Sequence, residues 1–199
     1  MPPSIVYLHG FASSPASAKA CLLTAAVAAL PPPLRPRLHV PMLQFAPREA
    51  VAQVAAWVRR EVAEPASTLT FVGSSLGGYY ATYLAEATGA RAVLVNPAVR
   101  PYADLADYVG TQTNLYTGEA FAVLPAHFDD LRAIAVPRIT RPQRYLLLVQ
   151  SGDEVLDWRE AVAFYGGAFQ YVEGGGDHAF RRFEAQLPAL LRFAGVASP

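Results

Sequence analysis

Gly73-Ser74-Ser75-Leu76-Gly77 is the stretch of this sequence best suited to chemistry. Small residues two positions before and after Ser75 let a chain turn sharply from a strand into a helix, so that the serine hydroxyl projects at the turn. A helix starting at Leu76 aims its free N–H groups at a carbonyl under attack by Ser75. Ser74 lacks small residues at the required offsets and is the poorer nucleophile. A serine hydroxyl still needs a base. His39 falls within an expected strand, and His127 within a long aromatic segment. His9 closes the first apolar run in His9-Gly10-Phe11. His178, in Gly174-Gly175-Gly176-Asp177-His178, alone combines a loop beyond a late strand with a position after the nucleophile. The bland alternative is a surface histidine in a flexible glycine loop.

The base in turn needs an acid to fix its tautomer. Asp153, in Gln150-Ser151-Gly152-Asp153-Glu154-Val155-Leu156-Asp157, comes directly after an apolar strand, where functional groups collect in open α/β sheets. Asp157 is better placed to cap the following helix. Asp177 adjoins His178, and sequence neighbours seldom orient each other's rings. Acyl transfer also needs donors for an oxyanion. The backbone N–H of Leu76 is one candidate and that of Phe11 the other. His9 reads equally well as a brace for the Phe11 loop. The histidines show no metal-ligand spacing, and Gly73 to Gly78 lacks the lysine of a phosphate-binding loop. Neither a metal nor an organic cofactor is expected.

These residues need elements to hold them. Apolar runs at Ser4–Leu8, Leu38–Val40, Leu69–Val72, Ala92–Val95, Tyr145–Val149 and Phe169–Val172 read as strands. Helical patterns at Ser17–Leu30, from Pro47, from Leu76 to about Glu86, at Trp158–Tyr165 and at Phe180–Phe193 alternate with them. Alternation of this kind predicts a parallel α/β sheet with helices on both faces. Residues 101–142 break it. They carry Tyr102, Tyr108, Tyr116, Phe121 and Phe128 and read as a cap over the site, with a surface excursion packed on the sheet edge as the alternative.

A chain of 199 residues, 53% hydrophobic and 16% charged, fits one folded domain over 1–199. Sixteen acids balance sixteen bases, so no field of one sign draws in a polyanion, and nucleic acid is not an expected partner. The single cysteine, Cys21, cannot form an internal disulfide and reads as a buried small hydrophobe in an apolar helix. No basic leader precedes an apolar run, and no stretch approaches the ~20 apolar residues of a membrane span. A cytoplasmic protein is expected; the oligomeric state is not readable.

Several segments together resemble the YqiA-type esterases of the α/β-hydrolase superfamily. They are Tyr7-Leu8-His9-Gly10-Phe11 with Ser13-Ser14-Pro15 and Ser17-Ala18-Lys19-Ala20; Val72 to Thr82; Val95-Asn96-Pro97-Ala98-Val99-Arg100-Pro101; Gly152 to Asp157; and Asp177-His178-Ala179-Phe180. They span nearly the whole chain. The order Ser75, Asp153, His178 is also that of α/β-hydrolases. The resemblance implies esterase activity on short-chain esters, with acyl-CoA thioesters also in reach, and Ser75, Asp153 and His178 as the triad. It implies that two leading strands of the full superfamily sheet are absent, leaving six parallel strands. The chain departs from the pattern around Pro31–Pro36 and Phe128–Arg141, which could shape an acyl pocket. Asn96 reads as orienting its loop by bonding its own backbone, or as lining the site. Two further functions share these residues: an acyltransferase or perhydrolase with the same triad, and a ligand-binding protein that has lost catalysis.

Overall fold

The computed structural model describes residues 2–104 and 108–196, so positions 105–107 of the expected cap lie outside the described residues. In chain order the elements are β1 (Ser4–Leu8), α1 (Ala18–Ala29), β2 (Arg37–His39), α2 (Pro47–Glu61), α3 (Pro65–Thr68), β3 (Leu69–Ser74), α4 (Leu76–Thr88) and β4 (Arg91–Val95). There follow α5 (Pro101–Asp104), β5 (Gly110–Thr113), β6 (Ala120–Val123), α6 (Pro125–Ala133), β7 (Tyr145–Gln150), α7 (Trp158–Phe164), β8 (Phe169–Glu173) and α8 (Leu187–Phe193). Six strands form one sheet in the order β2-β1-β3-β4-β7-β8, and each neighbouring pair is parallel.

The period of two along each strand separates two cores. Val6, Leu8, Phe71, Leu94 and Leu147 face α2, α4 and α7, while Ile5, Tyr7, Val72, Val93 and Leu148 face α1 and α8. Both faces are therefore covered, as a sheet of continuous apolar runs requires. Register then brings the strand ends together. Leu8 pairs with Gly73, Ser74 with Val95, Val95 with Leu148, and Gln150 with Glu173. The loops after β1, β3, β4, β7 and β8 thus emerge along one edge, and these are the loops that carry Phe11, Ser75, Asn96, Asp153 and His178.

Two expectations need correction. Cys21 is exposed: α1 buries Ala20, Leu23 and Val27, and the next position after Ala20 turns about 100° away from that stripe. The apolar composition of the helix hid which face was inward. The segment expected as one helix from Phe180 is a 3₁₀ turn at Phe183–Gln186 followed by α8. Phe180 and Arg182 sit at φ +62 and +59, outside helical space, and Pro188 starts a new helix because it has no N–H to continue the old one. Residues 110–123 form an antiparallel hairpin, β5 with β6, whose alternation is written in β6, where Phe121 and Val123 are buried and Ala120 and Ala122 are exposed.

The turn at Ser75 depends on close backbone approach. A Cβ at residue 77 would lie 2.0 Å from the Leu8 carbonyl oxygen and 2.6 Å from that of His9. One at residue 73 would lie 2.3 Å from the Gly77 carbonyl oxygen. Alanine in place of a helical glycine normally gains about 1 kcal/mol of helix propensity. Here the obstacle is backbone and cannot rotate away. Gly77→Ala should therefore lower unfolding stability by about 2 kcal/mol or more in denaturant titration; a gain would show that α4 can shift off β1.

Candidate active site

Ser75 joins β3 to α4 with φ +54 and ψ −123, a conformation that costs a non-glycine residue about 1–3 kcal/mol. Backbone bonds hold it there. Its N–H donates to the Val95 carbonyl (3.1 Å), and its own carbonyl accepts from Gly78 N (2.9 Å) and Ala98 N (3.1 Å). The side chain projects away from the sheet and meets a histidine: Ser75 Oγ and His178 Nε2 are 3.0 Å apart. On the other side of the ring, His178 Nδ1 is 2.9 Å from both carboxylate oxygens of Asp153. A carboxylate can only accept, so Nδ1 carries the proton and Nε2 offers its lone pair to the serine hydroxyl.

Asp153 is nearly sealed, with its side chain 1% exposed. Burial works to raise its pKa, but the His178 hydrogen bond and the N–H groups of Leu156 and Val155 (each 2.9 Å) outweigh it and hold the carboxyl below its ordinary value. The carboxylate is thus kept ionised beside the ring. Asp157 accepts from Arg159 N (3.0 Å) as the N-cap of α7, as its position predicts. Asp177 pairs with Arg181 (2.7 Å).

The loop after β1 lies against Ser75: a Cβ at Gly10 would be 3.2 Å from the Ser75 Cβ. Phe11 follows in that loop, and Leu76 opens α4 directly after Ser75. His9 is buried. Its Nε2 accepts from Leu43 N (3.2 Å) and its Nδ1–H donates to the Gly10 carbonyl (3.1 Å). Burial pushes its pKa down, which favours this neutral form. His9 therefore braces the loop. His39 stacks on Trp57 at 4.3 Å, and His127 accepts from Leu124 N in the first turn of α6.

The hairpin of the 101–142 segment docks on the same loop. Leu115 N donates to the Ala12 carbonyl and Asn114 Nδ2 to that of Ser13, each at 2.8 Å. Phe121 stacks on Phe45 (4.1 Å between centroids) and meets Phe11 edge-on (5.6 Å). A small cavity of about 30 Å³ lies between His9, Phe11, Leu43, Phe45, Leu76 and Phe121. Tyr116 stays exposed on the hairpin turn.

Two residues at the site carry roles that the sequence reading does not assign. Asn96 is buried and binds neither its own backbone nor a surface of the cavity: its amide reaches the carbonyls of Asp177 and His178. Gln150, also buried, holds the same loop. The available signal was an amide at the end of each of two buried strands, since a buried amide must find partners. Among the described residues, no three His, Cys, Asp or Glu side chains are placed to hold a metal ion. No helix among them is long and apolar enough to cross a membrane.

The model of the uncharacterised protein family UPF0227 matches residues 4–195. Among solved structures, the chain is similar to a protein of Agrobacterium vitis S4, at 18% identity and TM-score 0.73 over 97% of this chain and 88% of that one. It is also similar to α/β-hydrolase domain-containing protein 10 from mouse, at 16% identity and TM-score 0.69 over 96% and 90%. An esterase domain of a Rhodothermus marinus protein matches at 15% identity and TM-score 0.69 over 98% and 88%. At these identities the likeness establishes a shared α/β-hydrolase fold.

The state of Asp153 sets a pH signature. A folded carboxyl pKa below the unfolded value of about 3.9 gives stability that is full above that value and is lost as pH falls through the folded one. Urea titrations of the wild type and Asp153→Asn should therefore differ most near neutral pH, with the difference shrinking only as pH falls below the ordinary carboxyl value of about 3.9. A difference that stays constant across the range would show that the carboxylate is not held ionised by its neighbours.

Proposed function

We propose that this chain, which belongs to the UPF0227 family, is a serine hydrolase of carboxylic esters with Ser75 as nucleophile, His178 as base and Asp153 as the acid that orients it. The observation that carries the reading is the unbroken relay from Ser75 Oγ through His178 to the buried Asp153, with the proton assigned to Nδ1. His178 Nε2 takes the serine proton as Oγ attacks the ester carbonyl. Asp153 stabilises the imidazolium that results. The oxyanion is received by the backbone N–H groups of Phe11 and Leu76, supported by the first turn of α4. Nε2 then returns the proton to the leaving alkoxide, and a water activated in the same way releases the acid and regenerates Ser75.

The substrate reading is short acyl esters. The cavity beside Leu76 and Phe11 is small, and three phenylalanine rings close it. An acyl-CoA thioester would follow the same steps with a thiolate leaving group. The reading takes 1–199 as one catalytic domain and 101–142 as its cap, which contributes Phe121 to the pocket. The fold shared with an esterase domain is consistent with it.

A fluorophosphonate probe should add its mass to the peptide that contains Ser75, and Ser75→Ala should abolish both labelling and ester turnover above a low residual rate. Labelling at Ser74, or turnover that survives Ser75→Ala, would overturn the assignment. Asp153→Asn should lower turnover by a factor of order 10⁴, through the wrong tautomer, while Asp157→Asn changes little because asparagine also caps helices.

The pocket makes a separate prediction. Phe121→Ala should extend the accepted acyl chain in a panel of p-nitrophenyl esters while leaving acetyl-ester turnover within a few-fold. Tyr116→Ala should leave the profile alone, since Tyr116 does not reach the cavity. An unchanged profile for Phe121→Ala would remove the hairpin from the acyl pocket.

A further inference from the structure

The base at this site stands on a loop with no regular structure. The chain from Asp177 to Arg181 must nevertheless place a His178 ring nitrogen at 3.0 Å from Ser75. Four side chains from outside the loop bond its backbone groups. Asn96 Nδ2, just past β4, donates to the carbonyls of Asp177 (3.0 Å) and His178 (3.2 Å). Gln150, the last residue of β7, donates from Nε2 to the Arg181 carbonyl (2.8 Å), and its Oε1 accepts from the N–H groups of Asp177 (3.1 Å) and Arg181 (2.8 Å). Glu154 accepts from His178 N (2.9 Å), and Lys19 Nζ in α1 donates to the Ala179 carbonyl (2.8 Å).

Asn96 differs from the others in what else it touches. Its Oδ1 accepts from Gln150 N (3.0 Å), on the strand that leads to Asp153. Its own N–H donates to the Leu148 carbonyl (2.9 Å). Its chain neighbours grip the nucleophile: Val95 accepts from Ser75 N, and Ala98 N donates to the Ser75 carbonyl. The turn from Val95 to Ala98 is thus bonded to Ser75, to the loop of His178 and to the strand that leads to Asp153. Asn96 holds φ +40, a left-handed conformation that asparagine tolerates better than most residues. It is 2% exposed and within hydrogen-bond distance of the backbone of the base residue itself.

Resting on the proposed triad, we infer that Asn96 is a positioning residue that sets the distance from His178 to Ser75, with Gln150 as its partner clamp on either side of the histidine. Asn96 touches no reacting atom. It acts by making the β4 turn a common reference that ties the Ser75 turn to the loop of His178 and the strand that leads to Asp153. A displacement of about 1 Å at a reacting pair costs about 100-fold in rate, which gives the scale of the effect.

Asn96→Asp tests this. It keeps the size, the acceptor for Gln150 N–H and the tolerance for positive φ, but turns an oxygen toward two carbonyl oxygens in place of the amide donor. Three readouts separate positioning from mere structure. The downfield proton resonance of the His178–Asp153 hydrogen bond should shift or broaden. Fluorophosphonate labelling of Ser75 should slow about 100-fold. Turnover of a short ester should fall in kcat with KM within a few-fold. A folded Asn96→Asp protein with wild-type resonance and labelling rate overturns the inference, whatever its thermal midpoint. If that variant does not fold, Gln150→Glu carries the same comparison: it keeps Oε1 as acceptor and removes the donor to the Arg181 carbonyl. Normal resonance and labelling there overturn the clamp. Failure of the ester reading is distinct. It would appear as absence of Ser75 labelling in the wild type, while the resonance still reports whether Asn96 holds His178.

Discussion

Helix α4 begins so close to the end of β1 that residue 77 has no space for a Cβ, and the other features of the site follow from that contact. The approach pins the first turn of α4 against the Leu8 and His9 carbonyls. The chain between β3 and α4 then has one residue in which to reverse direction, and that residue is Ser75 at φ +54. The strain stays local because the flanking bonds to Val95, Gly78 and Ala98 over-determine the turn. The Ser75 hydroxyl is therefore presented by backbone geometry before any other side chain contributes.

The sheet converts this local turn into a site. Parallel strands in register end at one level, so loops far apart in sequence emerge beside Ser75. Loops so crowded must satisfy much of their polar backbone without helix or sheet bonds. The answer here is a set of buried side chains at strand ends: His9 for the loop after β1, Asn96 and Gln150 for the loop after β8. A residue 176 with a Cβ would strike Gln150 Oε1 at 2.0 Å, so the glycine run before His178 serves close packing at that point. What reads in sequence as a flexible glycine loop is tied down on both sides of its histidine.

The hairpin at 110–123 links the cavity to the loop after β1. The Asn114–Glu119 turn bonds to Ala12 and Ser13, while Phe121 packs on Phe11. Whatever enters the cavity therefore meets aromatic surface from the hairpin and backbone from the loop after β1 as one unit. Of the aromatic residues in this segment, Phe121 and Phe128 are buried while Tyr108 and Tyr116 stay exposed.

Much of this was present in the sequence. Apolar runs located the six strands of the parallel sheet to within a residue or two: the central β1, β3, β4 and β7 are buried on both faces and must be apolar, while the more exposed edge strands β2 and β8 were marked by short runs of strand-favouring residues. The glycine spacing around Ser75 marked the turn, because only residues without side-chain bulk allow it. The loop positions of Asp153 and His178 made them candidates, because chemistry at a strand end needs a group just past it. Tertiary structure decided the rest. The outward turn of Cys21 depended on which stripe of an apolar helix met the sheet. The break at Phe180–Arg182 came from backbone angles that no periodicity reports. The partners of Asn96 lie 81 and 82 positions away, and a hydrogen bond of that span leaves no local trace in composition or spacing. Sequence sets local conformation and the identity of the reactive groups; the distances between them exist only once the strands are in register.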